Sequence, residues 1–306
     1  MATAKEIKGR IRSVKNIAQV TRALQLVASS KLRRSQERVL TARPYSEELL
    51  RILSHLSRAS SDDETSNAWG ESQSEDADLR LLQTRAIKKI GIVLVTPDRT
   101  LSGALSSNTI RRTLQFFEER RHELKLPADA VQFVAVGKRG RDFLNRNRLP
   151  LLAEFTGLGD IPNVANVRAI ARVVSDAYLS GQVDVWYLVY PKFVSSLTQT
   201  PTEIQLLPVQ PPETAADEGP TVDYIFEPDA GTIFAALLPR YLETLIYQPI
   251  LETVASFYAA QFVAMKSATD NASDLAEDLN LSYNKARQAA ITNQILEVVA
   301  GANASE

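Results

Sequence analysis

From Ile250 to Ala300 the chain contains neither glycine nor proline. Small or apolar residues, with a few polar ones, recur there at alternating steps of three and four: Leu251, Val254, Tyr258, Gln261, Met265, Ala268, Ala272, Leu275, Leu279, Ser282, Ala286, Ala289, Asn293 and Leu296. A seam of this kind belongs to a helix that lies lengthwise against another helix. At 1.5 Å per residue the run would be about 75 Å long, too long to hide inside a compact domain, so it is expected to protrude. The N-terminal part supplies a partner. No glycine or proline falls between Gly9 and Pro44, and the seam runs through Ile7, Ile11, Val14, Ala18, Thr21, Gln25, Ala28, Leu32, Ser35, Val39, Ala42, Ser46, Leu49, Leu53 and Leu56.

Much of both seams is alanine, serine, threonine, glutamine or asparagine rather than leucine. Small residues let two helices approach closely but bury little area, and at about 25 cal/mol per Å² that gives weak self-association. A surrounding partner that sheathes the pair explains such a seam better than a free-standing coiled coil, which would be richer in Leu and Ile. Charge is segregated in the same sense. The net charge of the 306 residues is −1, yet Met1–Arg58 carries 13 basic and 4 acidic residues, while Arg240–Glu306 carries 4 basic and 8 acidic. Asp62–Asp78 has 7 acidic residues and Glu213–Asp229 has 6, with no basic residue in either. A basic and an acidic end suit antiparallel pairing of the termini. Two unrelated solvated faces would give the same counts.

Between the helices the texture changes. Lys89–Thr96, Val131–Val136 and Val183–Tyr190 are β-rich runs, separated by helical segments at Ala104–Leu124, Lys138–Asn145 and Val164–Leu179. Strands alternating with helices predict an α/β layer with a mainly parallel, Rossmann-like sheet. Ile204–Val209 and Val222–Phe226 read as two further strands around a Pro/Glu-rich loop, Gln210–Pro220. The expected organisation is a first coiled-coil helix over 1–59, an acidic linker over 60–85, a central α/β domain over 86–228 and a second coiled-coil helix over 229–306. The fold class is therefore α/β with a long antiparallel coiled-coil shaft made by the two terminal helices.

Catalytic chemistry finds little support. There is no cysteine, which excludes disulfides, thiol nucleophiles and thiolate metal sites. The two histidines, His55 and His122, sit in helical, charged surroundings and have no partners that would make a hydrolase triad or a metal site. No phosphate-binding loop of the usual glycine patterns is present. Gly137-Lys138-Arg139-Gly140 follows a strand and could cradle an anion at a helix start, although a plain turn is the commoner use. Thr96-Pro97-Asp98-Arg99 with Ser102-Gly103 reads as a turn into the next helix, with Ser102 as its cap. The basic run Lys31-Leu32-Arg33-Arg34, with Arg38 and Arg43, has no aromatic residues interleaved for base stacking, so an acidic protein surface suits it better than nucleic acid. No apolar run approaches the roughly 20 residues of a membrane helix, no signal-peptide core follows Met1, and the chain is read as intracellular. No cofactor is expected.

At the termini the residues themselves match a known pattern. Lys5-Glu6-Ile7-Lys8-Gly9-Arg10-Ile11-Arg12-Ser13-Val14-Lys15-Asn16, continuing through Thr21-Arg22-Ala23-Leu24 and Val27–Arg34, resembles the start of the gamma subunit of F-type (rotary) ATP synthases. Phe262–Ala272 (FVAMKSATDNA) and Tyr283–Thr292 (YNKARQAAIT) resemble its other end. Thr96–Arg99 and Leu206-Leu207-Pro208 add looser likeness in the middle.

The resemblance implies a non-catalytic central rotor shaft. Its terminal helices would form an antiparallel coiled coil inside a hexamer of alpha and beta subunits, and its α/β domain would be a foot on the c-ring beside epsilon. It would be peripheral, on the cytoplasmic face of a bacterial membrane, coupling proton-driven rotation to the catalytic beta subunits. Carried over residue by residue, Arg287, Gln288 and Thr292 match positions that contact beta near its catch loops. Leu24, Lys31, Arg33 and Arg34 match the region facing beta's acidic lever segment. Tyr224 and Glu227 match foot positions facing the c-ring. Gln261 stands where many relatives have Arg, and TPDRTLSGA at Thr96–Ala104 departs from the common form. Two other readings fit the unaided pattern: a nucleotide-binding α/β enzyme with a helical dimerisation arm, and a coiled-coil adaptor.

Overall fold

The strand β1, Ile90–Val95, is apolar at every position but Gly91 and buried at every position. Continuous burial is what a parallel strand covered on both faces requires. In the computed structural model, which describes residues 4–62, 79–210 and 230–303, β1 lies at the centre of a five-stranded sheet of order β3-β2-β1-β4-β5. The strands β2 (Val131–Val136), β3 (Leu151–Phe155) and β4 (Val185–Phe193) run parallel to it, and β5 (Gln199–Leu207) pairs antiparallel with β4. The register sets Ile90 opposite both Val131 and Val185.

The chain divides into two compact units, residues 31–260 and residues 1–30 with 261–306. In the first, the sheet is covered on both sides. Alternation along β1 sends Ile90, Ile92 and Leu94 to one face, where they meet Phe116 and Phe117 of helix α2 (Leu105–Leu124) and Leu144 of α3 (Lys138–Arg146). Val93 and Val95 point the other way, into a core built with Ile170 and Val174 of α4 (Val164–Leu179). Both terminal helices enter that same core. Helix α1 (Ala4–Asp62) contributes Leu49 and Leu53, and α5 (Ala230–Asn303) contributes Leu238, Leu242, Ile246 and Ile250. The α/β layer of this unit thus has the terminal helices as one of its covering layers, so it cannot shed them and keep that face dry. Pro44 in α1, and Pro239 and Pro249 in α5, lie inside helical runs. Each forfeits one backbone bond where tertiary packing carries the helix.

Trp186, fully buried in β4, explains the one glycine in β1. A Cβ at Gly91 would lie 2.3 Å from ring carbons of Trp186. Gly91→Ala is therefore expected to cost about 1–3 kcal/mol through overpacking, read as a lower urea midpoint with unchanged slope.

The structure corrects the sequence reading in three places. Strand β3 was not expected, because Leu-Leu-Ala-Glu-Phe is helix-favouring composition; pairing with β2 overrides it. Ser102 does not cap α2. Leu101 and Gly103 both take positive φ, and the cap position falls to Ala104 without a side-chain bond. The hydroxyl of Ser102 has no part in that start; its carbonyl accepts from Leu105 N–H at 3.3 Å. The third correction concerns the C-terminal seam. The expected strand Val222–Phe226, most of the loop Gln210–Pro220 and the acidic stretch after Asp62 lie outside the described residues.

In the second unit, α1 and α5 pair through the expected N-terminal seam. Ile7, Ile11 and Ala28 are buried, and Val14, Ala18, Thr21 and Gln25 are half-buried. On α5 the predicted positions hold through Met265 and Ala272, and Thr269 Oγ1 donates to Thr21 Oγ1 at 2.8 Å. Beyond Ala272, Leu279 and Ala286 stay half-buried as expected, but Leu275 and Ser282 face solvent and their neighbours Ala276, buried, and Tyr283, half-buried, take their places. The covered positions still step by four and three, so the 3.5-residue period is kept and only the order of the steps changes. The fully buried positions of this stretch are alanines, Ala272 and Ala276.

Candidate functional site

Past Ala286 the pairing ends. Every described side chain from Arg287 to Val299 is exposed, among them Ile291, Ile295, Leu296, Val298 and Val299. Ala289, Asn293 and Leu296, placed in the seam by the sequence pattern, are therefore exposed. Helix α1 starts at Ala4, and the spacing fixed by Thr21 and Thr269 brings its first turn level with Ala286. The last four turns of α5 present isoleucine, leucine and valine to solvent on a helix with no partner among the described residues. Arg287, Gln288 and Thr292 project from this stretch, and the Thr292 hydroxyl donates to the Gln288 carbonyl of its own helix.

The basic positions of α1 divide into two kinds. Arg33 and Arg34 are exposed, Arg33 with Glu37 at 3.4 Å. Lys31 is committed inward. Its ammonium donates to Asp160 Oδ2 at 2.7 Å and to Tyr258 Oη at 3.2 Å, and sits 5.3 Å from the centre of the Tyr258 ring. The Tyr258 hydroxyl donates to Asp160 Oδ1, Arg99 approaches the same carboxylate at 3.3 Å, and Arg38 donates to the Asp160 carbonyl at 3.1 Å. Four segments thus meet at one carboxylate: α1, the loop after β1, the loop after β3, and α5. Burial would push the Asp160 carboxyl up, but hydrogen bonds from Lys31 and Tyr258 and the charge of Arg99 outweigh it and hold it below the usual carboxylate range. The bond to Asp160, then that to Tyr258, raises Lys31. Burial, reinforced by donation to Asp160, raises Tyr258. Leu24 is half-buried.

The C-terminal edge of the sheet, where doubly wound folds place their ligands, is already filled. Lys138 N–H, at the first turn of α3, donates to Asp98 Oδ1 at 2.9 Å, and Gly157 N–H donates to Asp98 Oδ2 at 2.9 Å. Gly140 N–H donates to the buried Thr96 hydroxyl at 2.8 Å. The Gly137–Gly140 turn therefore does cradle an anion, and the anion is the chain's own Asp98 carboxylate. Gly137 is fixed by its φ of +97° and by the Thr96 carbonyl, which a Cβ would meet at 1.8 Å. His122 is exposed, and no metal-ligating cluster occurs among the described residues. The side chain of His55, and Tyr224 and Glu227 altogether, lie outside the described residues.

Comparison with known proteins resolves what this arrangement serves. A family model described as ATP synthase matches residues 3–304. The ATP synthase gamma chain of Roseiflexus castenholzii is 43% identical over 308 residues, covering 99% of each chain, and that of Desulfitobacterium hafniense is 41% identical over 306 residues, covering 100% of each. This chain belongs to the ATP synthase gamma-chain family. A solved chain in the Euglena gracilis mitochondrial ATP synthase (OSCP/F1/c-ring, rotational state 3) shares the fold with a TM-score of 0.61 at 16% identity, covering 98% of this chain and 94% of that one. A second, from the rotor of the same enzyme, gives 0.58 at 16% identity, covering 94% and 98%.

Membership in the gamma-chain family is in keeping with a sheet edge occupied by the chain's own Asp98: the chain is a non-catalytic subunit of the central stalk. It also removes the two competing readings, a nucleotide-binding enzyme and a free adaptor. Sequence reasoning missed the junction at Asp160. One trace of it was legible, since Tyr258 is a bulky residue with a polar tip in a seam of small ones. No helix among the described residues is long and apolar enough to cross a membrane.

Proposed function

We propose that this gamma chain turns as the shaft within a ring of alpha and beta subunits, its free C-terminal end held by that ring. The observation that carries the reading is the unpartnered stretch after Ala286, where five large aliphatic side chains stand exposed on one short length of helix. Apolar residues so crowded mark a protein-contact surface, and no other described residue of this chain covers them. Arg287, Gln288 and Thr292 are assigned to beta-subunit contacts there. Leu24, Arg33 and Arg34 are assigned to the acidic lever segment of beta, with Lys31 acting from within by fixing the helix that bears them. Tyr224 and Glu227 are assigned to the c-ring, with epsilon alongside, which puts the chain peripherally on the cytoplasmic face of a bacterial membrane. Residues 1–59 and 229–306 serve as shaft, 60–85 as linker and 86–228 as foot.

A rotor must bias each catalytic site in turn without locking to any of them. Differential affinity of moderate size does this, and a helix pair whose exterior mixes charged residues with exposed aliphatic ones such as Ile17, Val20, Leu26 and Leu281 supplies it. Mixing purified alpha and beta subunits with this chain is expected to give a stable, ATPase-active hexamer whose activity couples to the membrane sector. Full rotary coupling in a preparation lacking the chain would overturn the assignment.

A further inference from the structure

A groove of about 640 Å³ opens on the 31–260 unit between α1, the start of α4 and α5. Four arginines line it, Arg34, Arg38, Arg168 and Arg240, against two acids. Both acids are engaged: Glu37 by Arg33, and Glu243 by Arg168 at 3.0 Å. Arg38 is partly used by the Asp160 carbonyl. Arg34 and Arg240 have no hydrogen-bond or ion-pair partner for their guanidinium groups among the described residues, so the groove keeps two free forks of donors.

Its hydroxyls do not compete for that role. Thr41, Ser46 and Thr244 each donate to a carbonyl one turn back on their own helices, leaving only lone pairs to offer. The groove thus donates through arginine and accepts through hydroxyl oxygens. Between the two lie flat and apolar surfaces: the Tyr45 ring, 57% exposed, with Tyr247, Ala42 and Val164. The volume is within the roughly 300–1,000 Å³ typical of small-molecule sites.

We propose that this groove binds a nucleoside di- or triphosphate, distinct from any nucleotide held by catalytic subunits. Free guanidinium forks match phosphate oxygens. An exposed tyrosine offers a stacking face to a base, and hydroxyl lone pairs accept from ribose. An acidic peptide would use the arginines but leave the aromatic wall without a function. The site lies away from the sheet edge closed by Asp98, and it goes beyond the stalk reading, because the isolated chain suffices to test it.

The full-length chain is titrated by calorimetry with ADP, ATP, adenosine, pyrophosphate and a glutamate-rich helical peptide. Saturable binding of ADP or ATP is expected, with adenosine and pyrophosphate at least tenfold weaker. Joint substitution Arg34→Gln and Arg240→Gln is expected to weaken nucleotide binding at least tenfold with no change in the melting curve, since both groups are unpaired. Tyr45→Ser is expected to weaken ADP and leave pyrophosphate unchanged. No saturable nucleotide binding, binding that survives the double substitution, equal affinity for pyrophosphate, or preference for the peptide would each overturn the proposal. All of these outcomes are read on the isolated chain, and Arg240→Gln alone, which leaves the beta contact assigned to Arg34 intact, separates failure of the groove from failure of assembly.

Discussion

Ending the chain at Ala286 is expected to leave the melting temperature of the isolated protein within about 2 °C of the full-length value, and to lower coupled ATP synthesis in the assembled enzyme at least tenfold. The first half follows from burial. Described side chains from Arg287 to Val299 are exposed, so deleting them removes no buried side chain among the described residues. The hydrogen bond of Thr292 closes within the deleted helix itself. The second half follows from what the same residues leave unsatisfied. Ile291, Ile295, Leu296, Val298 and Val299 would each gain of order 1 kcal/mol on burial against a partner, and Arg287 and Gln288 leave with them. Ile295→Asp with Val298→Asp separates this effect from length: the helix stays as long, its folding is undisturbed, and coupling is again expected to fall. A truncated chain that melts well below the intact one would show that the end packs within the isolated protein. Undiminished coupling would remove the terminal helix from the set of working contacts.

The same residues show how far the sequence could be read. The α1 seam was legible throughout its described length, because pairing with α5 buries one face and the pattern follows that face. On α5 it was legible to Ala272 and again at Leu279 and Ala286, but misread at Leu275, at Ser282 and past Ala286. A seam is sought by hydrophobicity, and there the apolar residues serve two surfaces. Leu275 is 48% exposed while Ala276 is buried, so the larger side chain points away from the helix pair and the smaller one toward it. In a chain that must be gripped from outside, the rule that the greasier residue lies inside fails. The α/β layer was legible where strands are buried on both faces, as in β1, and illegible at the edge strand β3, whose residues favour helix and are only half covered. Asp160 could not have been found by spacing. It stands in a loop, and Lys31 and Tyr258 are 129 and 98 residues away; nothing local to Gly157–Asn163 signals either. Lys31 is grouped with Arg33 and Arg34 by the basic run they share, and its bond to Asp160 is visible only in the fold.

Replacing Asp160 by Asn tests that junction, and is expected to cost about 2–3 kcal/mol, seen as a melting temperature lower by about 4–8 °C. Asn preserves shape and can still accept from Lys31, but it removes the charge that offsets Lys31, which like Asp160 is about a third exposed, and the more exposed Arg99. The pH dependence identifies charge as the cause. Asp160 is held below its ordinary value, so its contribution is present above about pH 4 and fades as pH falls through the lowered folded value. Lys31 is held above its ordinary value, so its contribution is present below about pH 10 and is lost as pH rises through the raised one. The gap between native and Asp160→Asn melting temperatures should therefore be widest and flat between about pH 5 and 9, and should narrow at both ends. A gap that stays constant down to pH 2 would assign the loss to packing. Lys31→Met in the Asp160→Asn background should cost less than Lys31→Met alone, because the two partners share one interaction. If the two losses simply add, the four segments are not joined through this carboxylate, and Lys31 returns to the set of side chains free to face a partner.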